Sequence, residues 1–426
     1  MNKPQSIHFL GIGGSGLSGA AQIAKSQGFI VTGCDLASDT PYLDQVRQAD
    51  IPVLVGHSPD HLKHIDLLAV TPAAFYQNAE HPEITTAKTQ GRLITWQDFM
   101  GRYLHQDKFV IAAAGTHGKS TTAAVTGLLL EAAGMDPTVE VGATVPAWDS
   151  NIRLGQSRYF VCEADEFHDN FASFHPQISL LTLVEYDHPE YFETVDNMLA
   201  HYQRFLDRSG SVIYNADSPL VKKLKFPASS IPYHLSDFSR TDWPLGIAGT
   251  HNQLNALAVI NLARLLKIPD LVTAKVLSSF HGLHRRMELL GVKNGIHVYD
   301  DYANHPSSFA AVLTALREVH PGGRLWAVIE PHTYSRLKAL AGQLPASVRA
   351  ADTVIVSRIF GSRESDPGDF TGEDIVASLY HPHSRYIPDF PAIASYLKSH
   401  ASPGDTVVVM GSGNSYHLSR EILSVL

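Results

Sequence analysis

The feature that most constrains this chain is a glycine-containing loop that joins an apolar run to a run of hydroxyl residues. The apolar run, Phe109–Ala114, predicts a buried strand, and the loop at 115–118 follows it directly. Ser120 and the residues after it predict a helix that begins in the loop. A strand, a glycine loop and a helix N-terminus in this order direct backbone N–H groups and the helix dipole at an anion. The segment therefore predicts a phosphate site.

The side chains beside this loop indicate that the phosphate belongs to ATP. Lys119 is expected to lie along the β- and γ-phosphates, and the Ser120 hydroxyl is expected to ligate Mg²⁺. Ala113 stands where the general P-loop pattern has a glycine, so the match is to a variant form. The predicted nucleotide-binding residues are Gly115, Thr116, His117, Gly118, Lys119, Ser120 and Thr121.

A second glycine loop lies near the N-terminus, between two predicted strands. The strand at 6–10 runs directly into the loop, and the next strand, at 29–35, ends in Asp35. This strand–loop–helix–strand pattern is the fingerprint of dinucleotide-binding proteins. Its glycines let the backbone approach a pyrophosphate closely, and its acid accepts a hydrogen bond from a ribose hydroxyl. A strand at 67–72 ends in another loop at the same crevice. The predicted substrate-binding residues here are Gly11, Gly13, Gly14, Ser15, Gly16, Asp35 and Thr71.

Alone, the N-terminal fingerprint predicts an NAD-dependent oxidoreductase. Hydride transfer does not require a loop that binds the γ-phosphate of ATP. The phosphate loop at 115–118, which is the stronger signal, therefore argues against an oxidoreductase. The chain therefore has one predicted nucleotide site, in which an acid contacts a ribose, and one predicted ATP site. Together these sites indicate a UDP-linked substrate and ATP as the energy source. A regulator that binds nucleotides but has lost the chemistry is the alternative from another class.

Acids, amides and basic residues follow several other predicted elements. Glu163, with Asp165 and Glu166 beside it, ends a strand and suits Mg²⁺, which prefers carboxylates, phosphate oxygens and water. Asn252 and Asn255 lie three apart on a predicted helix and suit the edge of an adenine. The other candidate residues are His188, Arg286, Asp301, His305, His332 and Arg336, all near predicted strand ends or turns.

Length, charge and composition limit the number of domains, the kind of partner and the location that we expect. A chain of 426 residues suggests about three domains. A net charge of −9 argues against a nucleic acid or an anionic membrane as the main partner. Cys34 and Cys162 lie in apolar runs and form no disulfide framework, so we expect buried thiols in a reducing cytoplasm. We expect no signal peptide and no segment that spans a bilayer.

With these motifs in this order, the chain resembles the Mur ligase family, the ATP-dependent amide-forming enzymes of peptidoglycan synthesis. The resemblance implies an α/β fold with three domains. These are a Rossmann-like UDP-substrate domain at 1–105, a central P-loop ATPase domain with a mainly parallel sheet at 106–287, and a Rossmann-like amino-acid domain at 288–426. Within the family, the chain is most similar to the enzymes that join L-alanine to UDP-N-acetylmuramate.

The resemblance also implies a reaction and roles for the candidate residues. The lactyl carboxylate of UDP-N-acetylmuramate attacks the ATP γ-phosphate, and the amine of L-alanine then attacks the resulting acyl phosphate. Ser120 and Glu163 hold one Mg²⁺, and His188 holds a second metal. The matching adenine contacts are Asn252 and Asn255, the γ-phosphate contact is Arg286, the residues near the ribose or the amine are Asp301 and His305, and the amino acid is received by His332 and Arg336.

Three departures from the family pattern concern the acceptor side. Asn304 and Thr333 stand where other residues are common in the family, and the segment at 214–249 is short. Arg286-Met287-Glu288-Leu289 also resembles the sibling enzymes that attach a murein tripeptide to the same UDP sugar. The tripeptide ligase therefore stays open as the alternative acceptor specificity. We expect a cytoplasmic monomer or weak homodimer.

Overall fold

The fold was obtained as a computed structural model that describes residues 4–38, 40–71, 74, 78, 80–362 and 364–426. The chain forms two compact units. Unit 1 contains the described residues up to Glu185 together with Asp196–Asp237 and Asn255–Val276. Unit 2 contains Tyr186–Val195, Phe238–Leu254 and Leu277–Leu426. The predicted strand residue Pro72 lies outside the described residues.

Helices and strands alternate along much of the chain, which is typical of α/β proteins. They are α1 (Ser15–Ser26), α2 (Pro41–Gln48), α3 (Pro82–Thr89), α4 (Trp96–Phe99), α5 (Lys119–Ala132), α6 (Val195–Leu206), α7 (Thr250–Leu265), α8 (Asp270–Ser279), α9 (Pro306–Val319), α10 (Tyr334–Leu340), α11 (Leu344–Ser347), α12 (Gly372–Leu379), α13 (Phe390–His400) and α14 (Ser415–Val425). Among the described helices, none has both the length and the apolar character needed to cross a bilayer.

The first sheet of unit 1 has five parallel strands in the order β3-β2-β1-β4-β5. They are β1 (Ser6–Leu10), β2 (Ile30–Asp35), β3 (Val53–Val55), β4 (Leu67–Val70) and β5 (Leu93–Thr95). The strand order reverses between β1 and β4, and ligands bind at the carboxyl ends of the strands at such a switch point. The loop after β1 and Thr71, the residue that follows β4, lie at this position.

The second sheet of unit 1 has seven strands in the order β12-β11-β10-β6-β9-β7-β8, of which β8 is antiparallel. They are β6 (Phe109–Ala114), β7 (Thr138–Val145), β8 (Ser150–Arg153), β9 (Tyr159–Ala164), β10 (Ile178–Leu181), β11 (Ser211–Asn215) and β12 (Ile231–Tyr233). At the carboxyl edge Ala114 pairs with both Leu181 and Ala164. This register brings the phosphate loop, the acids after β9 and the residues after β10 to one edge.

The sheet of unit 2 has six strands in the order β13-β14-β18-β15-β16-β17, with β13 antiparallel to β14. They are β13 (Glu288–Lys293), β14 (Ile296–Asp301), β15 (Leu325–Ile329), β16 (Thr353–Val356), β17 (Ser384–Tyr386) and β18 (Thr406–Met410). Met410 pairs with both Asp301 and Ile329, so the loops after β14, β15 and β18 meet. Apolar residues of the strands contribute to two core clusters that also contain helix residues.

The sequence placed most buried strands correctly, and its errors have local causes. The sequence predicts a strand at 157–161, but β9 continues to Ala164, so Glu163 lies on the strand and not after it. The sequence predicts another strand at 178–184, but β10 ends at Leu181, and the Leu183 carbonyl accepts from the phosphate-loop amides of Thr116 and His117. The β13–β14 and β7–β8 hairpins were missed because their exposed or irregular residues hide the strand alternation. Both cysteines are buried, as predicted.

Candidate functional site

The loop between β6 and α5 is fastened to the residues that follow β10. The Thr116 amide donates to the carbonyl of Leu183 at 2.7 Å. The Thr116 hydroxyl donates to the carbonyl of Glu185 and accepts from its amide, both at 3.0 Å. The Thr182 hydroxyl donates to the carbonyl of Ala114, also at 3.0 Å. Both ends of the loop are therefore held by the neighbouring strand connection, which keeps the loop in one shape.

Two glycines of the loop are required by backbone angle and by space. Gly118 has φ +87° and a Cβ at this position would stand 2.3 Å from Oδ1 of Asn255. Gly115 has φ +132° and a Cβ there would stand 2.3 Å from Oγ1 of Thr182. These contacts bring Asn255, predicted to bind adenine, directly against the phosphate loop. In this described segment helix α5 has no side-chain cap and no acid in its first turn, so its N-terminal amides suit a phosphate.

Lys119 is buried beside the loop and is held by oxygen atoms. Its Nζ donates to the carbonyl of Gly115 at 2.7 Å and to Oε2 of Glu166 at 2.9 Å. Oδ1 of Asp165 lies 3.7 Å from the same nitrogen. Burial by itself would lower the pKa of Lys119, but Glu166 and Asp165 raise it above its ordinary value. Lys119 is thus a fixed, fully charged ammonium at the base of the loop.

The carboxylates near Lys119 fit a divalent cation. Glu163 accepts a hydrogen bond from the Gly142 amide. The buried Glu140 has its pKa raised to about 8 by burial first and by the charge of Glu163 second. The charges of Asp165 and Glu163 also raise the pKa of Lys119. Ser120 lies buried in the first turn of α5. Hydroxyl and carboxylate oxygens are the ligand types that Mg²⁺ prefers, and their binding of this ion stays a prediction.

The N-terminal glycine loop is braced from within. Oδ2 of Asp35 accepts from the Gly13 amide at 2.9 Å, and Oδ1 accepts from the Ala37 amide at 3.0 Å. Gly16 packs against Trp96, since a Cβ at Gly16 would stand 2.4 Å from the indole ring. Asp35 therefore fixes the shape of the loop, and its reading of a ribose stays a prediction.

Three further residues of the N-terminal prediction lie after β1 or β4, and their binding of a substrate stays a prediction. Thr71 follows β4 at the switch point of the first sheet, and its carbonyl accepts from the Ala74 amide at 3.0 Å. The Ser15 carbonyl accepts from the Asn151 side chain at 2.7 Å. Gly11 adopts φ +77° in the turn itself, a conformation that favours glycine.

A buried ion pair organises the candidate residues of unit 2. The Arg336 Nε donates to Oδ1 of Asp187 at 2.7 Å, and Nη2 donates to Oδ2 at 3.3 Å. Nδ1 of His332 accepts from Arg336 Nη1 at 2.8 Å. Burial opposes ionisation of Asp187, but His188, Arg336 and His305 together hold its pKa well below the ordinary range. Two residues predicted to receive the amino acid, His332 and Arg336, are thus joined to the acid that precedes the predicted metal ligand.

His188 lies between two acids and adopts a left-handed backbone conformation. Its Nδ1 is 3.2 Å from Oε1 of Glu190, and its Nε2 is 3.9 Å from Oδ2 of Asp187. Burial raises the pKa of Glu190, but the hydrogen bond and charge of His188 lower it more, to about 2. The φ of +56° at His188 is a strain that a structured turn must hold in place. An imidazole between two carboxylates fits a metal ligand.

The two arginines of the basic pair before β13 are both partly buried and make different hydrogen-bond contacts. Arg285 donates to the Gly411 carbonyl at 2.7 Å and to the Ser415 hydroxyl at 3.0 Å. The Arg286 guanidinium stacks on Tyr302, with 5.1 Å between its carbon and the ring centre. Arg285 therefore anchors the turn through its hydrogen bonds, and both guanidinium groups lie over the ring of Tyr302.

Asp301 and His305 have structural contacts that the sequence did not reveal. Asp301 accepts from the Met287 and Ala303 amides, both at 2.7 Å, and burial raises its pKa while Arg286 lowers it. His305 caps α9, with its Nδ1 2.8 Å from the Ser307 hydroxyl. Both residues thus shape the segment after β14, and their proximity to a ribose or an amine stays a prediction.

The sequence did not predict most of the contacts that hold the candidate residues, and the catalytic roles of those residues stay predictions. Glu166 as the partner of Lys119, and Glu190 as the partner of His188, lie within a few residues of predicted positions, so spacing offered a signal for them. Asn252 is buried and donates to the Ala248 carbonyl at 2.7 Å. Asp187 and Arg336 are 149 residues apart, and no local pattern connects them.

The sheets and the phosphate loop define a nucleotide-binding protein of the P-loop type, built from several α/β domains. Three family models match the chain: the Mur ligase family catalytic domain at residues 6–107, the Mur ligase middle domain at 113–242, and the Mur ligase glutamate ligase domain at 285–413. The chain belongs to the Mur ligase family.

Similar proteins cover essentially the whole chain. The UDP-N-acetylmuramate–L-alanine ligase of Acetivibrio thermocellus is 33% identical, over 99% of this chain and 96% of that protein. The enzyme of the same name from Thermosynechococcus vestitus is 34% identical, over 98% and 95%. The crystal structure of UDP-N-acetylmuramate–alanine ligase from Thermotoga maritima matches with a TM-score of 0.81 at 25% identity, over 98% of each chain. A murein peptide ligase structure from Psychrobacter arcticus shares the fold, with a TM-score of 0.70 at 24% identity, over 99% of this chain and 98% of that one.

Replacing Gly118 by alanine tests the loop geometry. The added Cβ meets Asn255 and the left-handed backbone costs about 1–2 kcal/mol, so we expect ADP affinity to fall by about tenfold or more. Gly134→Ala is the matched control, because Gly134 also has positive φ (+73°) but has no atom within 4 Å of the added Cβ. Calorimetric titration of both variants should show weaker ADP binding in Gly118→Ala alone. Unchanged affinity in that variant would contradict the assigned role of the loop.

The Glu190–His188 contact predicts a dependence of stability on pH. A carboxyl group with a depressed pKa stabilises the fold fully above its ordinary value of 4.5, and this contribution is lost as the pH falls toward about 2. The urea midpoint of the wild type should therefore fall across this window, and Glu190→Gln should show a shallower fall. Glu318→Gln, at an exposed position on α9, should behave as the wild type. Equal slopes in Glu190→Gln and wild type would refute the contact.

Proposed function

We propose that this protein is the ATP-dependent ligase that joins L-alanine to the lactyl carboxylate of UDP-N-acetylmuramate. The observation that carries the proposal is similarity of 33% identity over 99% of the chain to a ligase of that name. The phosphate loop with its buried Lys119 supports ATP as the phosphoryl donor. The braced glycine loop at the switch point of the first sheet supports a nucleotide-linked substrate in the N-terminal domain.

The proposed reaction has two steps. A lactyl carboxylate oxygen attacks the γ-phosphorus, the bond to the β,γ-bridging oxygen breaks, and ADP leaves with an acyl phosphate formed. The amine of L-alanine then attacks the acyl carbon, loses a proton, and expels phosphate to give the amide. The ammonium of Lys119 and the α5 amides stabilise negative charge on the phosphates. Glu166 and Asp165 raise the pKa of Lys119, so its ammonium is charged near neutral pH.

Mg²⁺ is part of the proposal, with Ser120 and Glu163 as ligands of one ion and His188 as a ligand of a second. When bound, Mg²⁺ would supply further positive charge to the phosphate oxygens. The adjacent Glu163 and Glu140 support the first assignment, and the position of His188 between Asp187 and Glu190 supports the second. We assign adenine contacts to Asn252 and Asn255, the γ-phosphate contact to Arg286, and the amino-acid side to His332 and Arg336.

We further propose domain boundaries at 105/106 and 287/288 and a cytoplasmic location. Strand β6 begins at Phe109 and β13 begins at Glu288, and the family models begin and end close to the same positions. An enzyme that uses ATP and a UDP-linked sugar belongs where those substrates are made. A monomer or weak homodimer stays our prediction for the oligomeric state.

The test is release of ADP, measured with each substrate omitted in turn. We expect release only with ATP, UDP-N-acetylmuramate and an amine present together, with L-alanine the best acceptor and its conjugate found by mass spectrometry. Lys119→Met should lower the turnover rate by about 100-fold or more while UDP-N-acetylmuramate binding is kept. Lys108→Met is the control, since Lys108 donates to the Ser157 carbonyl and lies outside the loop.

Two outcomes would change the proposal in different ways. A strong preference for a murein tripeptide over L-alanine would transfer the protein to the sibling activity and leave the ATP chemistry intact. Absence of ADP release with every acceptor, together with retained nucleotide binding, would instead support the nucleotide-binding regulator.

A further inference from the structure

A second group of metal-ligating side chains lies in the N-terminal domain, apart from the phosphate loops. His8 is on β1, Cys34 is on β2, His61 is on a short 3-10 helix (Pro59–Leu62), and Glu83 is in the first turn of α3. One nitrogen, sulfur or oxygen atom from each of the four lies within 4.8 Å of the others. These residues are far apart in sequence, and the fold alone brings them together.

The first sheet explains why the four side chains converge. His8 pairs with Thr32, and Leu10 pairs with Cys34, in the parallel ladder of β1 and β2. Alternate residues of a strand share a face, so His8 and Cys34 point to the same side of the sheet. That side carries the apolar cluster to which Leu62 and Ile84 contribute, and His61 and Glu83 are the neighbours of these two residues. The short helix and α3 therefore place His61 and Glu83 against His8 and Cys34 on the strands.

The distances between donor atoms are those of a compact metal site. Nδ1 of His61 lies 3.1 Å from Oε1 of Glu83, and Sγ of Cys34 lies 3.5 Å from Oε2 of Glu83. Nε2 of His8 lies 4.0 Å from the same Oε2. Tetrahedral Zn²⁺, with bonds of about 2.0–2.3 Å, requires donor–donor separations of about 3.3–3.7 Å. Closing the site needs only small rotations of side chains.

Two of these nitrogens face Glu83 without forming a hydrogen bond. Within the described part of the chain, Nε2 of His8 and Nδ1 of His61 are buried atoms with no hydrogen bond, although each lies within 4.0 Å of a Glu83 oxygen. The His8 side chain is 0% exposed, and its other nitrogen, Nδ1, lies 2.7 Å from the Thr32 hydroxyl. This outer contact orients the ring with Nε2 toward Cys34 and Glu83, as in metal sites where a second partner holds each histidine. Buried nitrogens without a hydrogen bond are uncommon and require an explanation.

Charge supports the same explanation. Glu83 is 0% exposed, and in the described residues its ion-pair contacts within 4.0 Å are histidines only: His8, His57 and His61. Once a metal displaces the thiol proton of Cys34, the thiolate and the Glu83 carboxylate would carry a charge of −2, which a divalent cation neutralises inside the protein.

We propose that His8, Cys34, His61 and Glu83 form a binding site for a thiophilic divalent cation of the Zn²⁺ class. The donor set of one sulfur, two imidazole nitrogens and one carboxylate selects such an ion over Mg²⁺, which prefers oxygen ligands throughout. Binding replaces the thiol proton of Cys34 by the metal and releases that proton. His57, with its Nδ1 3.2 Å from Cys34 Sγ, lies beside the sulfur as a neighbouring hydrogen-bond partner.

The site lies directly behind the N-terminal glycine loop. The carbonyl of Cys34 accepts from the amides of Gly11 at 2.8 Å and Ile12 at 3.1 Å, and the next residue is the loop-bracing Asp35. A metal on the Cys34 side chain therefore fixes the strand end on which this loop rests. Its role is structural: it ties β1, β2, the short helix and α3 of this domain together.

Cobalt titration of the reduced full-length protein tests the proposal directly. Excess Mg²⁺ and ADP are added to occupy sites rich in oxygen, and Co²⁺ is then titrated. We expect one equivalent to give the d–d bands of a tetrahedral ion and a thiolate-to-cobalt charge-transfer band, both abolished by one equivalent of Zn²⁺. A wild-type protein without the charge-transfer band would overturn the proposal, and this reading does not depend on any variant folding.

Variants then identify the ligand sulfur. Cys162→Ala is the matched control, because Cys162 is the other buried thiol, and it should keep the band. Cys34→Ala should lose the band and bind Zn²⁺ more weakly by over about 100-fold, beyond the loss expected for an outer partner. Thr32→Val, which removes only the contact to His8 Nδ1, should keep the band and lose about 10–100-fold in affinity. A band lost in Cys162→Ala and kept in Cys34→Ala would refute the assignment.

Discussion

The buried pair of Lys119 and Glu166 is the interaction on which the nucleotide site depends. A buried ammonium is costly unless an opposite charge compensates it, and here Glu166 lies 2.9 Å away, with Asp165 at 3.7 Å. The Gly115 carbonyl holds the same ammonium against the loop. The loop itself is fixed by Thr116 and by the residues after β10. Charge and backbone are therefore positioned together before any phosphate arrives, which is the condition for electrostatic catalysis.

The same principle recurs in unit 2. Asp187 and Arg336 form a buried pair that His332 extends on one side and His188 on the other. Removal of either charge would leave the other unpaired in the interior, so the pair fixes the turn that carries His188. In each sheet the polar groups gather at the carboxyl ends of parallel strands, where strand connections leave backbone and side chains open to ligands. The phosphate loop after β6 and the glycine loop after β1 share this arrangement.

The sequence predicted strands, loops and the family because those features are local. Buried strands such as β6 and β18 are continuous apolar runs, and each glycine loop follows its strand directly. It could not predict pairings between distant segments, such as Asp187 with Arg336, or the convergence of His8, Cys34 and Glu83. Cys34 was interpreted as a structural thiol because nothing near it in sequence marks a ligand. Three-dimensional register, which is not visible in local spacing, decides these cases.

The central claim is that phosphate passes from ATP to a carboxylate before the amide forms. It is tested most directly with UDP-N-acetylmuramate that carries ¹⁸O in its lactyl carboxylate, followed by mass spectrometry of the released phosphate. An acyl phosphate predicts one ¹⁸O atom in each phosphate, because the oxygen that attacks phosphorus leaves with it. Unlabelled phosphate, with L-alanine joined to the sugar at the normal rate, would contradict this account of the reaction.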